Sequence, residues 1–219
     1  MVNEASAQGC NGTMKQRICG VILSGGQSSR MGAEKALLSL AGKPLIAHVA
    51  ERLAPQVMLL AINANGDPAR FAALGLPIIP DRDGGTASAG PLSGILAGLA
   101  FAQRAGAGWM VTAAADMPFL PYDLVARLAA AADAGTLVCL AQGGAGMEPL
   151  CALWRADALA PLEAAFAKGE RAIRRAALAL PHCIAPFAPG EPDPFLNLNT
   201  PDDLAKAAAL LQRPPPDDR

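Results

Sequence analysis

The chain is short of net charge, of long apolar runs, of histidine and of paired cysteines, and each shortage excludes a class of function. Its 18 Lys and Arg nearly balance 19 Asp and Glu, leaving a formal net charge of −1. No basic field is therefore available for nucleic acid or for an anionic membrane surface. The longest largely apolar stretch, Pro91 to Ala102, falls short of the ~20 residues a membrane span needs and is broken by serine and glycine. Residues 1–17 are polar and lack the apolar centre of a signal peptide. They read as a disordered extension, with Met14 as an alternative start, and the proline-rich tail 212–219 also reads as disordered. The five cysteines, Cys10, Cys19, Cys139, Cys151 and Cys183, form no Cys-x-x-Cys pair. Cys19, Cys139 and Cys151 sit in apolar runs as small core residues, which suits a reducing cytoplasm. His48 and His182 have no ligand partner at usable spacing and read as structural.

What the chain does have is core. At 219 residues, 52% hydrophobic and 17% charged, it fits one compact domain. Strands are expected over 18–23, 57–63, 76–79, 109–115, 136–141 and 183–187, with 150–154 returning antiparallel. Helices are expected over 44–53, 68–74, 91–104, 122–132, 157–167 and 172–178. A last helix starts at Thr200-Pro201-Asp202-Asp203, where threonine caps, proline fills the first position and the acids oppose the dipole. Residues 83–89 read as a flexible loop. This alternation predicts an α/β fold: an open, mostly parallel sheet with helices on both faces, one domain over residues 18–211.

The apolar run Ile18 to Leu23 breaks into Ser24-Gly25-Gly26-Gln27-Ser28-Ser29-Arg30-Met31-Gly32-Ala33-Glu34-Lys35. Paired glycines after a strand allow a sharp turn and a close approach of backbone N–H groups to a ligand. Arg30 and Lys35, read as solvent-facing loop cations, add the charge that a nucleoside triphosphate requires. A P-loop is excluded, because Gly42-Lys43 is followed by Pro44, and residues 25, 26 and 32 are misspaced for a dinucleotide fingerprint. The plain alternative is a glycine-rich turn carrying two solvated charges.

Four polar features fall at expected strand ends, which is where open α/β sheets bind ligands: the glycine loop, Asn63, Asp81 and Asp116. Asp116 can hold Mg²⁺ or cap the turn at Met117-Pro118. Asp81 can contact a base or ribose, or cap a turn near Asp83-Gly84. Asn63 offers a donor and an acceptor to a guanine edge, or simply ends a strand. Gly90-Pro91-Leu92-Ser93-Gly94 opens a helix whose N-terminus can face a second substrate's phosphate, or that merely packs closely at Gly94. Asn197 and Asn199 are locally turn formers, and Glu148 reads as a solvated loop carboxylate in preference to a contact with a second substrate.

The glycine loop, Ala41-Gly42-Lys43-Pro44-Leu45-Ile46, Ile62-Asn63-Ala64-Asn65, Gly90-Pro91-Leu92-Ser93-Gly94 and Asn197-Leu198-Asn199-Thr200-Pro201-Asp202-Asp203-Leu204 occur in this order. Together they resemble the molybdenum cofactor guanylyltransferases of the MobA type, from about residue 18 to residue 211. The resemblance implies a Rossmann-like nucleotidyltransferase that uses Mg²⁺ to transfer GMP from GTP to molybdopterin or molybdenum-molybdopterin. It implies that Leu23, Ser24, Gly25, Gly26, Lys35, Asn63, Asp81 and Asp116 bind the nucleotide, with Arg30, Lys35 and Asp116 catalytic. Gly94, Asn197 and Asn199 would meet the second substrate, and molybdenum enzymes or their chaperones would be further partners in the cytoplasm. One departure is Ala114-Ala115-Asp116, where the family usually reads Pro-Cys-Asp. The alternatives are a molybdopterin cytidylyltransferase, a sugar-phosphate nucleotidyltransferase and, from another class, a non-catalytic nucleotide or cofactor carrier.

Overall fold

β1 (Ile18–Leu23) is buried at every position, the condition of a central strand covered on both faces. The computed structural model describes residues 18–24, 35–82 and 90–211. After β1, β2 (Ser39–Leu40) and β3 (Lys43–Pro44) form a separate small antiparallel hairpin. β4 (Leu59–Asn63) and β6 (Trp109–Ala114) flank β1, both parallel to it, and β5 (Ile78–Ile79) extends the sheet beyond β4. Beyond β6 lie β8 (Gly146–Arg155), β7 (Val138–Gly143) and β9 (His182–Pro186), giving the order β5-β4-β1-β6-β8-β7-β9. Within this sheet only β8 runs antiparallel to its neighbours.

Alternation along β1 divides the core between the two faces. Ile18 and Ile22 pack with residues of α1 (Leu45–Leu53) and α3 (Leu124–Ala131). Cys19, Val21 and Leu23 pack instead with α2 (Leu92–Arg104), α4 (Leu159–Ala167) and α5 (Ile173–Leu178). A third, smaller cluster of Leu40, Leu45, Phe119, Leu198 and Ala207 joins the hairpin and α1 to α6 (Pro201–Leu211). The expected open, mostly parallel sheet with helices on both faces is therefore present. Cys19, Cys139 and Cys151 are buried as expected. His48 and His182 each bond a backbone carbonyl, of Leu40 and Leu180, at 2.8 Å. Among the described residues no helix is long and apolar enough to cross a membrane. Residues 1–17, the loop 83–89 and the tail 212–219 lie outside the described residues.

Several boundaries differ from expectation for physical reasons. β4 starts at Leu59 because the 3-10 turn Ala54–Gln56, with Pro55 inside it, takes the Val57 amide. The β2–β3 hairpin was not expected. Its turn places Ala41 at φ 50° and Gly42 at φ 84°, the paired positive values of the tight hairpin turn that matches strand twist. β8 starts at Gly146, not at Leu150. Register shifts between Leu140 and Ala141, which face Ala152 and Glu148 respectively. Pro149, which has no N–H to give a ladder, thus falls within an irregularity that lets the strand continue past it.

Trp154 is fully buried, and its indole Nε1 donates to Thr112 Oγ1 at 3.1 Å across β6 and β8. Thr112→Val keeps the branched shape but leaves that N–H unpaired, at a cost of ~1–3 kcal/mol. Urea denaturation should show a stability loss of that size. An unchanged unfolding midpoint would mean that this buried bond contributes nothing net.

Candidate active site

The ends of β4, β1 and β6 stand side by side. Leu23 is in register with Asn63 on one side and Ala114 on the other. The ladder continues one step further, with Ser24 N donating to Asn63 O at 2.9 Å and Ala115 N to Leu23 O at 3.1 Å. Every described candidate is attached to this carboxyl edge, in two groups. Gly25, Gly26 and Arg30 lie outside the described residues. Ser24 is the last described residue before them, and its buried Oγ has no hydrogen-bond partner among the described residues.

The first group surrounds Asp81. Asn63 is 2% exposed, and its Nδ2 donates to Ile79 O at 3.1 Å and to Asp81 Oδ1 at 3.0 Å. Asn65 grips the same residue twice: its Nδ2 donates to Asp81 Oδ2 at 2.7 Å, and its Oδ1 accepts from Asp81 N at 2.9 Å. The amide nitrogen of Asn63 is thus turned inward, and Asp81 is the half-buried group held at the rim. Asn65 was not among the expected site residues, although its alternation with Asn63 just past a strand was visible. Gly94 belongs with this group and not with Asn197 and Asn199. A Cβ built there would lie 2.2 Å from Asn63 Oδ1 and 3.3 Å from Asp81 Oδ1, so only glycine lets the start of α2 approach so closely. Gly90, at φ +65°, would place a Cβ 3.1 Å from Arg171 Cβ.

The second group surrounds Lys35, at the start of a 3-10 turn (Lys35–Leu37). Its side chain is 13% exposed, against the expectation of a solvent-facing cation. The ammonium donates to Asp116 Oδ2, to Asn197 Oδ1 at 2.7 Å and to Asn199 Oδ1 at 2.6 Å. Among the described residues the Asp116 carboxylate bonds only to Lys35, and it does not cap its own turn. Met117 N bonds to Ala114 O at 3.3 Å instead.

Local sequence explains how residues 197–199 reach this point. Leu198 is fully buried, and its N donates to Asp116 O at 3.1 Å. In extended chain its two neighbours then share the opposite side, toward Lys35. The following helix start locks the segment. Asn199 N and Thr200 N both donate to Asp203 Oδ2 at 2.9 Å, and Asp203 N donates to Thr200 Oγ1 at 3.1 Å. The Asn199 N–H, and then the Thr200 hydroxyl, hold the Asp203 carboxyl below its ordinary pKa. Glu148 is half-buried on β8 and not in a solvated loop. Burial, and secondarily the charge of Asp193, push its carboxyl pKa up.

One carboxylate and two carboxamide oxygens converging on a cation form a hard-oxygen donor set, which fits a divalent ion such as Mg²⁺. No group of three or more His, Cys, Asp or Glu suited to a metal occurs among the described residues. Phosphate oxygens would have to complete the shell, as is usual for Mg²⁺.

The MobA-like NTP transferase domain model matches residues 20–183. A molybdenum cofactor guanylyltransferase of Rhodobacter capsulatus is 50% identical over 203 residues, covering 91% of this chain and 100% of the relative. The crystal structure of a molybdopterin-guanine dinucleotide biosynthesis protein A from Archaeoglobus fulgidus is 30% identical with a TM-score of 0.70, over 89% of this chain and 98% of that one. A Mycobacterium tuberculosis protein solved in complex with manganese is 15% identical with a TM-score of 0.64, over 89% of this chain and 98% of its own, and shares the fold alone. The edge-on cluster of Lys35, Asp116 and the two asparagines therefore sits in a nucleotidyltransferase framework, and the chain belongs to the molybdenum cofactor guanylyltransferase family, built on the MobA-like NTP transferase domain.

Proposed function

We propose that this chain transfers GMP from GTP to molybdopterin, with or without bound molybdenum, and releases pyrophosphate, with Mg²⁺ as the divalent ion. The observation that carries this reading is the Lys35 ammonium in a cradle of three oxygens at the carboxyl edge. It supports the reading because a cation able to meet phosphates lies beside a carboxylate able to hold a metal. Asp116 would hold the ion, whose charge would offset that of the phosphates.

The chain's own residues supply position and charge. Lys35, with Arg30 and the amides of Gly25 and Gly26, would neutralise the phosphate oxygens, and the unpaired Ser24 hydroxyl would donate beside them. Leu23 ends the strand that supports this loop. Asp81, held by Asn63 and Asn65, would accept from the N1–H and 2-amino groups of guanine. Asn197 and Asn199 would line the acceptor side, whereas Gly94, packed against Asn63 and Asp81, would shape the base side. An acceptor phosphate oxygen attacks the α-phosphorus, the bond to pyrophosphate breaks, and pyrophosphate leaves with the electron pair. No protein nucleophile is needed, because the attacking oxygen is already anionic and the protein has only to align it. Molybdenum enzymes or their chaperones would take up the product.

GTP should bind more tightly than CTP or ATP in calorimetry with Mg²⁺ present. Each buried polar group left unpaired by the wrong base costs ~1–3 kcal/mol. Equal affinities, or a preference for CTP, would remove the guanylyl assignment and leave nucleotidyl transfer standing. For the metal, Asp116→Asn keeps size and hydrogen-bonding capacity but loses the charge that a hard cation prefers. Product formation from GTP and molybdopterin should fall by about 10³-fold, since metal charge stabilisation is worth several kcal/mol. Near-normal turnover at low Mg²⁺ would place the metal elsewhere.

A further inference from the structure

An ammonium has three N–H donors and no more. Those of Lys35 meet three acceptors: Asp116 Oδ2, Asn197 Oδ1 and Asn199 Oδ1. A lysine bonded in this way has no N–H left for a phosphate. The three oxygens are also the donor set that fits a divalent cation, so ammonium and metal compete for one place. Two of the three come from residues 197 and 199, which Leu198, Thr200 and Asp203 hold rigidly through the backbone. The cradle is thus preformed, and the long lysine side chain is its mobile part.

We propose that Asp116, Asn197 and Asn199 form a cation cradle that the protein fills with its own Lys35 ammonium when no nucleotide is bound. Asn197 and Asn199 are then positioning residues for Lys35 as well as lining the acceptor side. Nucleotide phosphates draw the ammonium out, and only then are the three oxygens open to a divalent ion. The protein in this way disfavours metal without nucleotide, and metal and nucleotide enter as a pair. The inference rests on the reading of Asp116 as the metal residue, and the two can fail separately.

The test is binding of Mn²⁺ alone, without nucleotide, followed by the electron paramagnetic resonance signal of the free ion. Lys35→Met and Lys35→Gln both remove the competing charge, and either should bind Mn²⁺ at least about tenfold more tightly than the wild type, about 1.4 kcal/mol. Two variants of different polarity guard against one that fails to fold, which circular dichroism would reveal. Affinity equal to or weaker than wild type in the folded variants overturns the place-holder role. Adding Asp116→Asn to Lys35→Met should abolish the gain. If the double variant keeps it, the ion is not at Asp116, and both the metal assignment and this inference fall. If the double variant loses the ion while Lys35→Met shows no gain, only the place-holder role falls.

Discussion

A lysine ammonium with little access to water must be paired, and the pairing of Lys35 organises everything around it. Its partners lie 81, 162 and 164 residues away in sequence, so no local rule could bring them together. The sheet does so by placing β6 beside β1 in parallel, which brings the segments leaving the two strands to the same edge. A partly buried ion pair of this kind adds little net stability, because desolvation offsets most of its Coulomb energy. Its value lies in position: it holds a cation and an anion at one point on the edge of a rigid sheet.

The two groups of the site use aspartate in opposite ways. Asp116 is bonded to a cation, whereas among the described residues the Asp81 carboxylate is held by neutral amides, from Asn63 and Asn65. Amide donors fix a carboxylate in place without cancelling its charge, and each carboxylate oxygen retains capacity to accept again. One end of the site therefore presents an acceptor at the rim, and the other a cation. Under the proposed function a nucleotide would have the matching polarity, with donors on the guanine edge and anionic oxygens along the phosphates.

Much of this was legible in the residues, and the parts that were not have identifiable causes. β1 is apolar throughout and β6 nearly so, with Thr112 its one polar residue, and the polar residues just beyond them, Ser24 and Asp116, stand out for that reason. The β2–β3 hairpin was not legible because two-residue strands carry no periodicity, and Ala41 gives no sign of its positive φ. β8 was expected only from Leu150 because Pro149 argues against a strand, and the shift in register that accommodates it is a tertiary event. Lys35 looked solvent-facing for the same reason: its burial depends on Asp116 and on residues near the far end of the chain. Asn65 is visible as part of the Asn63-Ala64-Asn65 motif, but its own role is not, since that role needs Asp81 as a partner. Asn197 and Asn199 were visible as a motif, but their shared aim at Lys35 depends on Leu198 being pulled into a core between them.

That small core carries the geometry of the charged end. Leu40 lies in the hairpin after Lys35, Phe119 comes three residues after Asp116, and Leu198 separates the two asparagines; with Leu45 and Ala207 they form one cluster. Each element of the Lys35 group thus has its own apolar anchor within a few residues, and the anchors touch one another instead of the two main cores. A satellite cluster of this size buries far less apolar surface than the layers on either side of the sheet, so it anchors the charged end independently of them. A disturbance there would slacken the cradle around Lys35 while β1, β4 and β6 stayed paired. The positions of the strand ends belong to the global fold, whereas the closeness of Lys35 to its three oxygens belongs to this cluster. Under the proposed place-holder role of Lys35, the same separation would let the site exchange one cation for another without disturbing the sheet beneath it.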